Sequence, residues 1–466
     1  MRKGTIKNSL LAFIAVILAG CSAQPGDPGI YPDYRDVTVP CNIAPLNFHY
    51  TGVRYARTTF SAGDKSFSIR GGTVRISPER WRSLLLAAKN GIIEVSSSAM
   101  DGWRIYVSAD SVDRYLTYRL IEPGYEVWDR VEIRERDLSG FSERVLSSHE
   151  NTDNSCMNCH IHKGNRSMFY LRGAKGGAVL NDGGTIRKLN LRNEDMISGT
   201  VYGDLHPDGR WGVFSTNIII PGFHTLGSRR LEVYDTASDL TVADFEDNRM
   251  LNTAEFADAG KLETFPCFSA DGRSVFFCCA DTVSLPRNIE ELRYSLYRAD
   301  FDPETGLLGP GAEIIWDAGE HNASVCHPKA SPDGNWIMYT VADYGTFPIW
   351  HRECDLQLMN LGDGTVNSLE TVNSDVSDTY HSWSSNSRWF VFASKREDGQ
   401  YGKPFLCHID ENGKASKPFA VPQKDPYHYE RTLKSYNIPD LGRAPAPYDY
   451  KQIGLFREHA DTEIFR

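Results

Sequence analysis

Two cysteines and a histidine stand in a spacing used for covalent haem attachment. Cys156-Met157-Asn158-Cys159-His160 has the form C-x-x-C-H. In such a motif each thiol forms a thioether with one vinyl group of a haem, and the adjacent histidine becomes the proximal ligand of the iron. The sequence therefore predicts haem c held by Cys156 and Cys159, with His160 on the iron.

Other chemistries remain open for this cysteine pair. It could be a redox dithiol, although no thioredoxin-type βαβ pattern surrounds it. It could supply half of a zinc site, although the sequence has no second C-x-x-C pair. It could also be a plain disulfide. The haem interpretation is favoured because the histidine follows the second cysteine directly.

A haem iron needs a sixth ligand or an open face, and several side chains are of a suitable type. We prefer His224, which follows Pro221-Gly222-Phe223 in a long loop between strands. Met168 comes second, since it lies eight residues after His160 and would give His/Met ligation. The remaining candidates by residue type are His162, His206, His327 and His381.

The beginning of the chain has the pattern of an export signal. Basic residues precede an apolar run from Leu10 to Ala19, which is about half as long as a membrane-spanning helix. Leu18-Ala19-Gly20-Cys21 then resembles a bacterial lipoprotein box, and this resemblance implies cleavage before Cys21 and acylation of its thiol. We expect residues 1–20 to be a lipoprotein signal peptide and 21–40 a flexible tether.

Export and lipidation indicate a protein of the cell envelope, anchored in a membrane through Cys21 and most simply placed at the outer membrane facing the periplasm.

The chain has 466 residues, 41% of them hydrophobic, which is typical of a folded protein of several domains or one large repeat architecture. Its net charge of -11 provides no broad basic surface, so nucleic acid is not expected as a partner.

The body of the chain shows the alternation of polar and apolar residues that is typical of β-strands. One helix is predicted where Ser77-Pro78 supplies an N-cap and a first-turn proline. Further on, a turn pair followed by a strand that ends on an aromatic residue recurs four times. The four units are His206–Phe214, Ser269–Phe277, Ser331–Tyr339 and Ser384–Phe392.

These units resemble the blades of TolB-like β-propellers from bacterial envelope proteins, and the mature chain also resembles a lipoprotein family of Bacteroides-type bacteria. The resemblance implies a mainly β chain: a TolB-like propeller of five to six blades, preceded by a β-rich domain with one short helix. A fifth blade is argued from Met168–Leu171 through Ile186–Leu189.

The boundaries we expect are a β-rich domain over 41–145, the C-x-x-C-H segment over 146–170, a propeller over 171–425 and a tail over 426–466 that packs on or closes the propeller. The polar 146–170 segment is expected to cross the surface where the two domains meet.

Two functions follow from these expectations. The first is electron transfer, or another redox role, through one c-type haem, with a redox or envelope protein as partner. The second is a non-catalytic scaffold that binds an envelope protein, peptide or glycan, with Cys156 and Cys159 as a disulfide. Hydrolase elbows, zinc-protease motifs, P-loops and Rossmann fingerprints are absent from the sequence, so we favour a non-enzymatic role.

Overall fold

The computed structural model describes residues 28–122, 130–152, 157, 160–173, 175–223 and 231–466. The predicted signal peptide, Cys21, Cys156, Cys159 and His224 lie outside the described residues. The described chain is mainly β, as predicted. No helix in the described ranges is long and apolar enough to cross a membrane.

The N-terminal domain is built of eight strands and one helix. The strands are β1 Gly29–Tyr31, β2 Val37–Pro40, β3 Phe48–Thr51, β4 Ala56–Ala62, β5 Lys65–Gly71, β6 Thr73–Val74, β7 Gly91–Ser97 and β8 Trp103–Ser108. They form one sheet in the order β1-β3-β6 and another in the order β2-β8-β7-β4-β5. Helix α1, Pro78–Ala87, has the predicted cap, because the Ser77 side chain accepts a hydrogen bond from the Arg80 amide.

The flexible tether predicted over 21–40 is wrong for its second half. Strand β1 pairs with β3, and β2 pairs in parallel with β8. Tyr34 and Val37 are fully buried in the core of the domain. The polar and glycine-rich composition hid these apolar anchors, since two or three buried side chains suffice to hold a short edge strand.

Six further groups of strands, which we call sheets I to VI, make up the rest of the fold. Their pairing is antiparallel except for two short parallel contacts, and one of these, between Ser238 and Leu262, joins sheets III and IV into a single nine-stranded sheet. Sheet I contains β9 Tyr115–Ile121, β10 Val131–Asp137, β11 Glu143–Ser148 and β33 Ser435–Gly442. Sheet II contains β12 Ile161–Lys163, β13 Arg166–Leu171, β14 Gly177–Asp182, β15 Thr185–Asn190 and, in parallel, β34 Glu463–Ile464. Sheet III contains β16 Thr200–Leu205, β17 Trp211–Phe223, β18 Leu231–Asp244 and β19 Arg249–Asn252.

Sheet IV contains β20 Lys261–Phe268, β21 Ser274–Asp281, β22 Ser295–Asp302, β23 Leu307–Leu308 and β24 Glu313–Trp316. Sheet V contains β25 Ser324–Ala330, β26 Trp336–Ala342, β27 Asp355–Asn360 and β28 Val366–Asn367. Sheet VI contains β29 Asp378–Trp383, β30 Trp389–Ser394, β31 Lys403–His408 and β32 Phe419–Ala420. The remaining helices are α2 Ala318–His321, α3 His428–Arg431 and α4 Tyr450–His459, with 3-10 turns at His149–Thr152, Ala254–Phe256, Ile289–Glu291 and Pro348–Trp350.

The four repeated turns each join the first and second strands of a sheet, from sheet III to sheet VI. The fourth residue of each turn has the positive φ that a tight hairpin requires: 84° at Gly209, 69° at Gly272, 77° at Gly334 and 58° at Ser387. Apolar side chains then pack between neighbouring sheets, as in the cluster of Trp211, Phe268, Phe277 and Phe301.

One edge strand of each sheet faces the middle of the assembly; we call β33, β12, β16, β20, β25 and β29 the inner strands. Each inner strand contacts the next, and β29 contacts β33, so the contacts run in a closed cycle. Because β33 in the tail shares sheet I with β9 to β11, the cycle joins the end of the chain to strands that precede β12 in the sequence.

This arrangement corrects two boundaries predicted from sequence. Strands β9 to β11, which the prediction placed in the N-terminal domain, instead form one sheet with β33 from the tail, in which β9 pairs with β33. The second half of the 146–170 segment does not cross a surface, because it forms β12 and β13 and its Met168 is fully buried. Local alternation cannot reveal a strand partner that lies about 300 residues away in the chain.

Candidate functional site

His160, the histidine of the C-x-x-C-H motif, is buried beside the inner strands. It immediately precedes β12, and its side chain is 4% exposed. Among the described residues, neither ring nitrogen has a hydrogen-bond partner of ordinary geometry, although a contact with the Ile438 backbone acts to raise the pKa of the ring. Nε2 lies 3.8 Å from Oδ2 of Asp440 on β33. Burial, and secondarily the charge of Arg119, lowers the pKa of His160 to about 3. The imidazole is therefore neutral at pH 7, which is the form that binds metals.

His160 lines a small central cavity to which all six sheets contribute. The cavity has a volume of about 60 Å³. Its walls are aromatic, histidine and proline side chains with one lysine and one aspartate. They are His160, Ile161, Tyr202, Gly203, Phe265, Pro266, His327, Pro328, Lys329, Tyr380, His381, Ile438 and Asp440.

A repeated β-bulge places these residues at the cavity. The pairing of the inner strands shifts register between Thr264 and Cys267, and at the equivalent points of β16, β25, β29 and β33. At four of these bulges a residue has φ between 50° and 52°: Phe265, His327, Tyr380 and Ile438. Such a bulge re-aims side chains that regular alternation would send elsewhere.

Two further histidines at the cavity have nitrogens without partners. His381 bonds through Nε2 to the Met338 carbonyl oxygen at 2.9 Å, which fixes that nitrogen as the donor and leaves Nδ1 with an unpaired acceptor. His327 has no partner for Nε2, and its ring centroid lies 4.0 Å from that of Phe265. Burial lowers the pKa of His381 to about 3 and lowers that of His327 as well.

Charged side chains surround the same cavity. Lys163 donates to Oδ2 of Asp204 at 2.6 Å. Burial acts to raise the pKa of Asp204, but the charges of Lys163 and Lys329 outweigh it and hold that pKa below its ordinary value. Asp440 lacks such a close cation, so burial raises its pKa to about 6.

The sequence candidates for the sixth ligand are distributed as follows. Met168 packs among Ile161, Tyr170 and Leu180 in an apolar cluster and does not line the cavity. His206 bonds through Nε2 to the Gly272 carbonyl oxygen at 2.9 Å, an architectural contact between two turns. His162 is half-buried, and desolvation lowers its pKa to about 4. The choice of His224 or Met168 stays a prediction.

Sequence reasoning missed most of the cavity, although a signal was present. Tyr202, Phe265, His327 and Tyr380 each stand six positions before the Asp or Asn of a repeated turn. Aligning the repeats further upstream would have shown this aromatic column. Arg119, Lys329 and Asp440 carry no such repeat signal, because each charge occurs on one sheet alone.

The donor set fits an iron ligand, whereas the cavity does not fit a porphyrin. His160 and His381 offer neutral, partnerless nitrogens of the kind that ligate haem iron. Pockets for cofactor-sized ligands measure roughly 300–1,000 Å³, and this cavity has about 60 Å³. A porphyrin on Cys156 and Cys159 therefore requires space beyond it. Within the described ranges, no cluster of three or more His, Cys, Asp or Glu side chains is arranged to hold a metal ion.

The described residues include seven cysteines, and all seven are free thiols. Cys41 is half-buried, and the other six are buried: Cys267, Cys278, Cys279, Cys326, Cys354 and Cys407. The adjacent Cys278 and Cys279 are both small buried side chains of β21.

No protein-family model matches the sequence, and no curated protein matches it. Solved structures that match part of the chain include the periplasmic gluconolactonase of Pseudomonas aeruginosa, at 13% identity over 66% of this chain and 98% of that one, with a TM-score of 0.34. A gluconolactonase of Xanthomonas campestris is 11% identical over 60% of this chain and 84% of that one, with a TM-score of 0.35.

A puromycin-hydrolyzing peptidase of Mycobacterium tuberculosis is 13% identical over 57% of this chain, with a TM-score of 0.33. The match spans only 38% of the length of that peptidase. At these identities and TM-scores the likenesses carry no argument about the activity of this chain.

Proposed function

We propose that this chain is a cell-envelope lipoprotein that carries one c-type haem on a six-bladed, TolB-like β-propeller and serves electron transfer. In this proposal Cys21 holds the lipid anchor, most simply at the outer membrane facing the periplasm, and Cys156 and Cys159 hold the haem. His160 is the proximal ligand. Haem iron, when bound, supplies a one-electron couple.

The observation that carries the proposal is the state of His160. A buried polar group without a hydrogen bond costs free energy, roughly 1–3 kcal/mol for each unsatisfied group. Among the described residues, both ring nitrogens of His160 are in this state. A neutral imidazole with such nitrogens, directly after a C-x-x-C pair, is suited to ligate an iron.

The propeller is supported by the closed cycle of inner strands. Sheets I to VI supply six blades, and sheet I combines β33 from the tail with β9 to β11. Such a closure leaves each inner strand at a short sheet edge that the neighbouring sheets protect, which suits a rigid scaffold for one redox group.

Production of the mature chain together with a cytochrome c maturation system tests the haem. We expect a Soret band and an intact mass increased by one haem that survives unfolding in acid, because thioethers are covalent. The double variant Cys156→Ser/Cys159→Ser is the control and should lose both signals. A wild-type mass equal to the polypeptide alone would reject the proposal.

The alternative function is a non-catalytic scaffold for an envelope protein, peptide or glycan, with Cys156 and Cys159 as a disulfide. The small volume of the central cavity favours it. Alkylation of the unfolded protein before and after reduction separates the two functions. A disulfide adds two alkylated thiols only after reduction, whereas thioether-bound cysteines are alkylated in neither case.

A further inference from the structure

Two strands of sheet III continue past the inner strand as a projecting arm. Thr200, the first residue of β16, pairs with Thr216 of β17. Strand β17 nevertheless runs on to Phe223, and it stays paired with β18 over that length. We call residues 217–223 of β17 and 231–238 of β18 the arm. The arm therefore reaches beyond the end of β16.

One face of the arm carries two exposed isoleucines. Ile218 and Ile220 are 42% and 52% exposed. Both share a face of β17 with Phe214, because side chains two residues apart in a strand point the same way. Phe214 is fully buried and packs with Met168 and Tyr170 of sheet II. The two isoleucines therefore continue, beyond the packed part, the face of sheet III that is turned toward sheet II.

Sheets II and III meet at the end where the arm begins. Oη of Tyr170 donates to Oγ1 of Thr200 at 2.7 Å, and Thr200 pairs with Thr216, two residues before Ile218. Tyr170 stands near the end of β13 that pairs with Ile161, the first residue of β12. Two residues of a strand span roughly 7 Å. Ile218 therefore lies one such step beyond the end of sheet II at which β12 begins.

The C-x-x-C-H motif is tethered at this same end of sheet II. His160 immediately precedes β12, and the fully buried Met157 packs between sheets I and II. A haem on Cys156 and Cys159 is thus bound within one residue of each, and consecutive Cα atoms are only about 3.8 Å apart. The central cavity of about 60 Å³ cannot take the porphyrin. Such a haem therefore has to lie outside the inner strands, close to this end of sheet II.

We propose that the haem on Cys156 and Cys159 packs one face of its porphyrin against the arm, on the side chains of Ile218 and Ile220. This inference rests on the proposed function and adds to it the wall that covers the cofactor. A porphyrin is flat and largely apolar, so contact with exposed isoleucines removes apolar surface from water on both sides. An apolar wall also excludes water from the haem, and solvent exposure is one of the factors that set its reduction potential.

The first test measures oxidation of side chains by hydroxyl radicals, with mass spectrometry of the peptides. It compares the wild type carrying covalent haem with the haem-free variant that lacks both motif cysteines. We expect the oxidation of Ile218 and Ile220 to fall several-fold when haem is attached. Ile92 of β7 and Ile314 of β24, which are 38% and 47% exposed, should be oxidised equally in both proteins. Equal oxidation of the two arm isoleucines in both proteins would overturn the inference.

The second test removes the apolar wall with the double variant Ile218→Ser/Ile220→Ser. We expect covalent haem with a lower midpoint potential than in the wild type, because water admitted to the porphyrin stabilises the charge of the oxidised iron. The matched control Ile92→Ser/Ile314→Ser should keep the wild-type potential. An unchanged potential in the arm variant would mean that this face has another occupant, such as a second copy of the chain, and the inference would be wrong. If the arm variant does not fold, the oxidation of the wild type still decides.

The inference and the proposed function can fail separately. A wild-type mass without haem rejects the proposed function, and this inference falls with it. Covalent haem together with arm isoleucines that remain exposed rejects the inference alone and leaves the proposed function standing.

Discussion

Nε2 of His160 lies 3.8 Å from Oδ2 of Asp440, and both side chains are buried. The histidine belongs to the C-x-x-C-H segment and the aspartate to β33, near the end of the chain. The distance is too long for a hydrogen bond. The contact nevertheless shows that the motif and the closing strand of sheet I share one buried site.

His160→Leu is expected to change the stability of the haem-free protein little, within about 1 kcal/mol. The substitution removes two unsatisfied buried nitrogens and nearly conserves volume. The matched control is His49→Leu, because His49 is equally buried but bonds to Glu430 at 2.9 Å and stacks on Tyr427. We expect His49→Leu to lose about 1–3 kcal/mol in urea unfolding. A larger loss for His160→Leu than for His49→Leu would show that the His160 ring is architectural.

Gly272→Ala is expected to destabilise the protein by more than 2 kcal/mol. Gly272 has φ of 69°, and a Cβ there would lie 2.1 Å from Nε2 of His206. That ring cannot move aside, since it is buried with its centroid 4.8 Å from that of Phe268. Both the strained backbone and the steric overlap oppose the substitution.

The equivalent glycine of the next repeat isolates the steric part. Gly334 has φ of 77°. A Cβ added there would have the Cβ of Ala270 as its nearest neighbour, at 3.5 Å, which is an ordinary contact. Gly334→Ala should therefore lose only about 1 kcal/mol. Thermal unfolding of the two variants measures the difference. Equal losses would mean that the contact between His206 and Gly272 adds nothing.

The repeats show how far sequence alone could lead. The turn at Ser331-Pro332-Asp333-Gly334 can be predicted from the sequence, since a tight turn requires a positive φ and the Asp-Gly pair supplies a residue that tolerates it. The cavity depends instead on bulges such as the one at His327, whose φ of 52° no turn residue signals. Tertiary packing imposes that conformation, so the sequence could predict the hairpins but not the centre that they surround.

The same distinction separates the two halves of the candidate site. His160 is evident from the spacing of its motif, because covalent chemistry demands neighbouring residues. Asp440 and Arg119 contribute through charge and burial, and each reaches the site from a distant part of the chain. The pairing of β9 with β33 brings these two distant parts of the chain together.

Thiol labelling of the native protein is expected to modify Cys41 well before the six buried cysteines outside the motif. Cys41 is half-buried, whereas burial raises the pKa of Cys267 and of Cys407 to about 12, so little thiolate forms at pH 8. Peptide mapping after brief labelling provides the measurement, and Cys41→Ser is the control that removes the fast site. Equal labelling of Cys407 and Cys41 would contradict the buried placement of β31.

Asp235→Asn should stabilise the protein at alkaline pH. Asn217 donates to one oxygen of Asp235 at 2.8 Å, the other oxygen has no partner, and burial raises the pKa of this carboxyl to about 7. Because the folded pKa exceeds the ordinary 3.8, the native state binds the extra proton, and stability is lost as pH rises from about 4 through 7. The asparagine side chain does not ionise, so the stability advantage of Asp235→Asn over the wild type in urea unfolding should grow by roughly 2 kcal/mol between pH 5 and pH 8.

The control is Asp271→Asn, since hydrogen bonds, chiefly from Ser269, lower the pKa of that exposed carboxyl. It is ionised throughout the same range in both states, and its difference from the wild type should not change with pH. Parallel curves for Asp235→Asn and the wild type would show that Asp235 titrates in the native protein as it does in the unfolded chain.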